Sequence, residues 1–298
     1  MKSERLSRKI YFRDPRSAVV VFRQKRQSPM PLHRHEFLEI VVVLGGNGIY
    51  TTPRQPRVVR SGDVMVVNSS HSHGYEDTQA LELANILVRE DALRNLENEL
   101  GSLPGYHALF TLERLRRQAD GEGGHVHLNA EALRHVESWI SAIEYETSRI
   151  DEGGAALARA WLVLLIGFLS RSYGEQPGGG SRLDMRMGRV LSAIDLHPEN
   201  QFKLGTMAVE TAMSERSFLR RFKEVTSCSP MDYVLRARVR KAVRLMEEQG
   251  SHRSITEIAF ACGFNDSNYF SRQFRRIAGQ SPRDHKKNRT FHPSSARP

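Results

Sequence analysis

Between residues 19 and 88 the apolar positions come in short runs broken by turn residues: 19–22, 37–44, 48–52, 57–60, 64–67 and 81–88. Runs of this length, rich in Val and Ile, predict the strands of an antiparallel barrel or sandwich. Gly45-Gly46-Asn47-Gly48 and Ser61-Gly62-Asp63 read as turns between them. Past Asn129 the period lengthens. Leu133, Val136, Trp139, Ile140 and Ile143 fall on one side of a helix expected over 129–150, and a second helix is expected over 155–173. The apolar run 161–169 is about half of what a bilayer span needs, so it reads as part of a buried helix and no membrane partner is expected.

The stretch Gly174-Glu175-Gln176-Pro177-Gly178-Gly179-Gly180-Ser181 can neither continue a helix nor pair well as a strand, and it reads as a linker. Beyond it the pattern is helical and repeats after about 52 residues. Phe218-Leu219-Arg220-Arg221-Phe222 returns as Phe270-Ser271-Arg272-Gln273-Phe274, Met207-Ala208 as Ile258-Ala259, and Cys228-Ser229-Pro230 as Gln280-Ser281-Pro282. Each copy predicts a short helix, a tight turn and a second helix. Thr211 to Met213 make the first turn and Ser214 caps the helix after it. In the second copy Cys262-Gly263-Phe264 turns, with Gly263 free to take a left-handed backbone, and Asn265 or Asp266 caps. Phe218, Phe222, Phe270 and Phe274 then face inward, which puts Arg216, Leu219, Arg220 and Lys223 outward on one helix. On the other, Ser267, Asn268, Ser271, Arg272 and Arg275 face outward. Between the copies a helix should start at Pro230 and run to about Glu248, before Gly250, with Tyr233, Val234, Ala237, Val243 and Met246 as core. Its length of about 28 Å at 1.5 Å per residue is near the ~34 Å between successive major-groove faces.

Charge sharpens this division. The chain of 298 residues carries a net charge of +10. Residues 1–180 hold 22 Lys and Arg against 22 Asp and Glu, so the whole excess belongs to 181–298. One domain thus fits a polyanion and the other does not. Outward Arg and Asn match base edges in the major groove, and Lys, Ser and further Arg match phosphates. A single-stranded RNA reading is disfavoured because the outward faces offer no stacking aromatics. The two cysteines, Cys228 and Cys262, have no partners at zinc-finger spacing, and two cannot build a disulfide framework. The first eleven residues hold no apolar stretch suited to a signal peptide, which points to the cytoplasm.

The residues Ala208, Met213-Ser214, Arg220-x-Phe222-Lys223, Ser229-Pro230, Arg238, Ala242, Ile255-x-x-Ile258-Ala259, Cys262-Gly263-Phe264-x-Asp266-Ser267-x-Tyr269-Phe270-Ser271-x-x-Phe274 and Gly279-x-Ser281-Pro282 resemble the signature of the AraC/XylS family over about 100 residues. The resemblance implies a domain with two helix-turn-helix units on a joining helix, reading adjacent major grooves of promoter DNA. It places base-reading positions on Arg216, Leu219 and Arg220, and on Ser267, Asn268, Ser271 and Arg272. Ser227 departs from the family, which usually has Gly in that turn.

In the N-terminal region His33, His35 and Glu39 share a strand face by parity, Gly46 follows, and His71 and His73 come after the second turn. This arrangement resembles the motifs of the cupin family, although Asn68-Ser69-Ser70 stands where a Pro-x-Gly turn is common. The cupin resemblance would make His33, His35, Glu39 and His71 metal ligands. Since AraC-type sensor domains often keep such residues without metal, the favoured reading is a metal-free effector pocket of His33, His35, Glu39, His71 and His73, with no cofactor. A structural role and a metal site stay open. Together with Arg60-x-Gly62-Asp63 and Pro104-Gly105, the same residues are similar to the rhamnose-responsive regulators.

The expectation is therefore a two-domain α+β protein. Residues 1–173 form a cupin-like β-barrel with accessory helices for effector binding and dimerisation, 174–181 the linker, and 182–298 an all-α DNA-binding domain. The function expected is a non-enzymatic activator that responds to a sugar, with L-rhamnose the named candidate. Its expected partners are promoter DNA, a second copy of the chain through the two helices after residue 129, and RNA polymerase. The rival is a metal-dependent cupin enzyme fused to a DNA-targeting module.

Overall fold

The computed structural model describes residues 4–53, 55–69, 71–112, 124–175, 182–248 and 253–290. Ser70, Gly250 and the linker residues 176–181 lie outside them. Contacts between Cα atoms divide the chain into two units, Met1–Arg189 and Val190–Pro298.

The first unit is built around two long antiparallel strands. β1 (Glu4–Leu6) and the short helix α1 (Arg8–Tyr11) precede β2 (Val19–Gln24), β3 (Met30–His35) and β4 (Leu38–Thr51), and then come β5 (Arg57–Arg60), β6 (Asp63–Val67) and β7 (His73–Val88). β4 and β7 pair along their whole length, from Leu38 opposite Val88 to Thr51 opposite Gly74. One half of this ribbon is flanked by β2 and β6, the other by β3 and β5, and β8 (His125–His127) pairs with β6. The result is the cupin-like barrel, filled by Val41, Val43, Val59, Met65, Val67, Tyr75, Leu81 and Leu83.

Two strand boundaries differ from the sequence reading. Gly45 to Gly48 does not reverse the chain, because the runs 37–44 and 48–52 belong to the single strand β4. Register shifts at Val43/Gly45, Gly45/Asn47 and Asn47/Ile49 bend the strand there. Gly46 has φ +69°, and a Cβ on it would lie 2.1 Å from the Ala80 carbonyl oxygen, so only Gly fits the bend. β7 likewise starts at His73 rather than at 81, because its polar first half pairs with β3 and with the end of β4. Ser61-Gly62-Asp63 does turn, with Gly62 at φ +93°.

After β7 come α2 (Glu90–Leu100) and α3 (Pro104–Tyr106), which continues into a π-turn at His107–Thr111. The sequence reading did not include these, although Leu93, Leu96 and Leu100 recur at helical spacing in α2. α4 (Ala130–Thr147) is capped by Asn129 and buries Val136, Ile140 and Ile143. α5 (Gly154–Glu175) packs against it, with Trp139 edge-on to Phe168 at 5.1 Å. α5 is long and apolar enough to cross a membrane by length and composition, and its buried side carries Ala158, Leu162, Leu165, Ile166 and Leu169. α6 (Arg182–Leu196) follows, its residues up to Arg189 grouping with the first unit.

The second unit repeats itself. α7 (Leu204–Glu210) and α8 (Glu215–Thr226) form one helix-turn-helix, α10 (Ile255–Ala261) and α11 (Ser267–Ala278) the other, with α9 (Pro230–Glu247) between and α12 (Pro282–Thr290) last. Ser214 caps α8, Ser229 caps α9, Ser254 forms a capping box with Glu257 on α10, and Asp266 rather than Asn265 caps α11. Phe270 and Phe274 sit in one core with Val239, Ala242 and Met246 of α9, while Phe222 packs edge-on to Tyr233 at 5.6 Å.

Candidate nucleic-acid interface and ligand pocket

In each helix-turn-helix, full burial of the two phenylalanines turns the opposite side of the second helix to solvent. Arg216, Leu219, Arg220 and Lys223 are exposed on α8, and Asn268, Arg272 and Arg275 on α11. Ser267 and Ser271 are half-buried, and the Ser271 hydroxyl donates to the Ser267 carbonyl at 2.9 Å, which leaves its oxygen as an acceptor only. Tyr269 is a residue the sequence reading passed over. It is 39% exposed, and the Arg272 guanidinium lies 5.9 Å above its ring. The outward faces therefore do carry one aromatic, beside Arg272. Asp266 caps α11, and no acidic residue follows in its first turn.

The left-handed positions of the turns are also visible. Gly263 takes φ +83° against the Glu199 backbone, and its counterpart in the first helix-turn-helix is Ala212 at φ +54°. Ser227, the departure from the family pattern, adopts φ +60° where its counterpart Gly279 has φ +78°.

The N-terminal cluster forms differently from its sequence expectation. His33 and His35 end β3, Glu39 belongs to β4, and a bend at Glu36 and Phe37 separates them, so the three do not share one strand. In register Glu39 lies opposite Leu87 and His33 opposite His73, at the two ends of β7, so it is the curling of the sheet that brings Glu39 to the histidines. His33 stands opposite His73 in the β3–β7 register, their rings 4.3 Å apart. Glu39 lies 3.1 Å from His73 Nε2 and 3.4 Å from His35 Nε2. Burial pushes the Glu39 carboxyl up, but His73 and His35 outweigh it and hold it well below the usual carboxylate range. Burial and then His73 lower the His33 imidazole to about 4. His71 is buried, but it lines no part of this cavity, so His73 stands where the cupin resemblance would put His71.

The cavity has a volume of about 140 Å³, comparable to one that holds a single six-membered ring. His33, His35, Glu39, His73, Tyr75 and Asn85 supply its polar wall; Leu6, Phe22, Phe37 and Leu87 are among its apolar members. None of the lining residues is Lys or Arg. Glu39 Oε2 is shared between His35 Nε2 and His73 Nε2, while three further polar atoms of the wall, His73 Nδ1, Tyr75 OH and Asn85 Oδ1, are buried without a hydrogen bond. The His35 Nδ1–H donates to the Phe37 carbonyl at 2.7 Å, so in the neutral ring the Nε2 lone pair faces the Glu39 carboxylate. A proton on either Nε2 closes that ring's pair with Glu39, and a ligand hydroxyl can bond to the polar atoms of the wall that remain. A divalent metal also fits, since His35, Glu39 and His73 offer ligand atoms within 4.8 Å of one another, and two imidazoles with a carboxylate suit zinc, iron or manganese.

A second histidine pair was not foreseen. His125 Nε2 at 2.9 Å and His127 Nδ1 at 2.8 Å both reach one oxygen of Asp63, whose other oxygen accepts from the Arg60 N–H. Burial raises the Asp63 carboxyl, and these hydrogen bonds more than offset it, holding it at about 2. The alternation His-x-His against Asp63 fastens the short edge strand β8 to β6.

Residues 207–288 match a family described as "Helix-turn-helix domain", and residues 18–160 one described as "AraC-like ligand binding domain". The chain is 31% identical over 275 residues to the HTH-type transcriptional activator RhaS of Klebsiella pneumoniae (strain 342), an alignment covering 92% of this chain and 94% of that protein. It is 27% identical over 281 residues to the HTH-type transcriptional activator RhaR of Mannheimia succiniciproducens, covering 94% of this chain and 96% of that one. Among solved structures, the DNA-binding domain of AdpA in complex with a target DNA is 32% identical, covers 37% of this chain and 98% of its own, and aligns with a TM-score of 0.34.

Proposed function

The chain belongs to the AraC family of DNA-binding transcription regulators, and on that premise we propose that it is a cytoplasmic activator switched by a small uncharged sugar, with L-rhamnose the first candidate. The observation that carries the effector site is the set of buried, unpartnered polar atoms on the wall of the barrel cavity. Such atoms cost free energy unless something fills their valences. His33, His35, Glu39, His73, Tyr75 and Asn85 supply acceptors and donors for hydroxyls, while Phe22, Phe37 and Leu87 suit a C–H face. His71, outside the cavity, supports the pocket's surroundings rather than the ligand. The names of the relatives support activation and the sugar class.

In the DNA-binding half, Arg216, Leu219, Arg220, Ser267, Asn268, Ser271 and Arg272 read bases, and Lys223 and Arg275 hold phosphates. Their exposure on two repeated helix faces supports this assignment. The working division remains 1–173 for the sensor, 174–181 for the linker and 182–298 for the reader. Dimerisation uses the outward sides of α4 and α5, where Tyr145, Leu157 and Leu164 are exposed and apolar. As an activator the protein also contacts RNA polymerase.

The test is a pair of measurements on the full chain: thermal shifts with a panel of neutral sugars, and footprinting on the promoter beside its own gene with and without the sugar that shifts. No shift with any sugar overturns the effector reading, and no footprint overturns the reader assignment. A monomer by light scattering at micromolar concentration overturns the dimer.

The converging ligand atoms of His35, Glu39 and His73 favour one second reading, a metal-dependent enzyme carrying a DNA-targeting module. A divalent ion there would polarise a bound hydroxyl or carbonyl as a Lewis acid. Stoichiometric metal, lost in Glu39→Gln, together with turnover of a substrate, promotes this reading; metal-free protein that binds DNA retires it.

A further inference from the structure

α9 carries both reading helices, and it holds them at consecutive residues. Tyr233 receives the edge of Phe222, from the C-terminal half of α8. Asp232 receives Arg276, from the last turn of α11: one guanidinium N–H donates to Asp232 Oδ1 at 2.7 Å. The other carboxylate oxygen, Oδ2, accepts from Arg236 Nε at 2.7 Å, one turn along α9 itself. Arg276 is steadied in turn, because its Nε donates to Gln273 Oε1 at 2.9 Å. Asp232 lies in the first turn of α9, where the helix dipole favours a carboxylate, and its own N–H is taken by the Ser229 cap.

This arrangement changes what the length of α9 means. From the sequence, its 28 Å suggested that the two readers sit at its opposite ends. In the structure the apolar packing of the second unit begins at Leu235 and runs through Val239, Ala242 and Met246, yet the last turn of α11 returns to Asp232. The ends of both reading helices therefore meet α9 at its start, within six residues of the left-handed exit turn at Ser227. To the apolar packing of the helices, a carboxylate hydrogen-bonded between two guanidinium groups adds a directional contact that fixes one relative position.

We propose that Asp232 is a positioning residue that, through Arg276, sets the spacing between the two DNA half-sites. The proposal rests on the two-unit reading of DNA. Asp232 reads no base itself. It fixes the axial position and roll of α11 relative to α8, so that Arg220 and Arg272 reach their base edges on one duplex together. The class of ligand affected is a duplex carrying two half-sites about one helical turn apart.

The test uses full-length wild type, Asp232→Asn, Arg276→Gln and Arg276→Lys. Each is taken through selection from a randomised duplex library at one fixed salt concentration, and the spacing between the two enriched sequence blocks is read by sequencing. Wild type is expected to enrich paired blocks at one spacing. In Asp232→Asn and in Arg276→Gln the preference for that spacing over its one-base-pair neighbours falls about two- to fivefold, the scale of partly exposed ion pairs. Arg276→Lys, which keeps the charge, retains the wild-type distribution. Arg276 is half exposed, so its variants remain informative if Asp232→Asn folds poorly. Unchanged spacing in both charge-removing variants overturns the proposal, as does a uniform loss of enrichment at all spacings, the signature of a plain phosphate contact or of general destabilisation. A single block enriched by wild type overturns the two-unit reading and the proposal with it.

Discussion

Exchanging the residues at the two exit turns, Ser227→Gly and Gly279→Ser, should move stability in opposite directions. Both positions close a reading helix with a left-handed residue whose N–H donates to a carbonyl four residues back, Lys223 for Ser227 and Arg275 for Gly279. At φ +60° the Ser227 side chain crowds the backbone, a cost of roughly 1–2 kcal/mol that Gly escapes. Gly gives back roughly 0.5–1 kcal/mol through the greater freedom of the unfolded chain. Ser227→Gly should therefore stabilise the second unit by about 0.5–1 kcal/mol. Gly279→Ser should destabilise it by about the same amount, since an added Cβ there meets no atom within 4 Å and only the backbone term operates. Urea unfolding of the full chain provides an internal control. Trp139 and Trp161, the two tryptophans of the chain, both lie in Met1–Arg189, so their fluorescence reports the first unit alone. Far-UV circular dichroism follows the helices of both units, so the part of its change that the tryptophan signal does not share reports the second. The reasoning is refuted if both exchanges shift the second transition in the same direction, or if the tryptophan transition moves with it.

Four further outcomes are expected. Arg220→Ala and Arg272→Ala should each weaken specific DNA binding by about 1–3 kcal/mol and relax preference at one position, measured by fluorescence anisotropy on specific and scrambled duplexes; Lys223→Ala should weaken both duplexes alike. On lowering the pH, the folded state keeps His33 neutral down to about 4 while the unfolded imidazole takes its proton near 6.5. Stability is thus full above pH 6.5 and drops as pH falls towards 4, and His33→Gln should flatten that window in thermal melts. Glu39, depressed in the folded state, contributes above the ordinary carboxylate range and is lost only below it, so Glu39→Gln should alter the acid limb under pH 4.5 and, by removing a charge that favours the His33 imidazolium, extend the His33 window to lower pH. Elemental analysis after purification without chelator should return no stoichiometric metal, and one equivalent that survives dialysis but disappears in His73→Gln would refute the metal-free pocket.

The helical half was the more legible in sequence because its signals are local. Phenylalanines spaced four apart, caps such as Ser214 and Ser229, and Gly263 in the turn each act within one or two turns of chain, and the repeat stated them twice. Tyr269 escaped because its position alone does not distinguish core from rim; its neighbour Arg272 gives it a role only once the helix is docked. The barrel was less legible. Gly45 to Gly48 has the composition of a hairpin turn, and only the close approach of the Ala80 carbonyl converts it into a bend within β4. The three-residue strand β8 is ordered by what it pairs against, Asp63 among them, and carries little pattern of its own, whereas α2 has Leu93, Leu96 and Leu100 at helical spacing and was legible.

The sequence by itself determined that there are two units of opposite character and that the second reads a polyanion with two matched helices, and it marked His33, His35, Glu39, His71 and His73 as candidates for the first unit's chemistry. Periodicity, capping and charge are properties of neighbouring residues, so they survive without coordinates. Tertiary structure decided which of these groups meet. It brought Glu39 to His73 from opposite ends of the β4–β7 ribbon by curling the sheet, left His71 outside the cavity, and returned Arg276 to Asp232 at the start of α9. Those contacts join residues far apart in the chain, and their distances depend on the register of strands and the docking of helices, which no local pattern encodes.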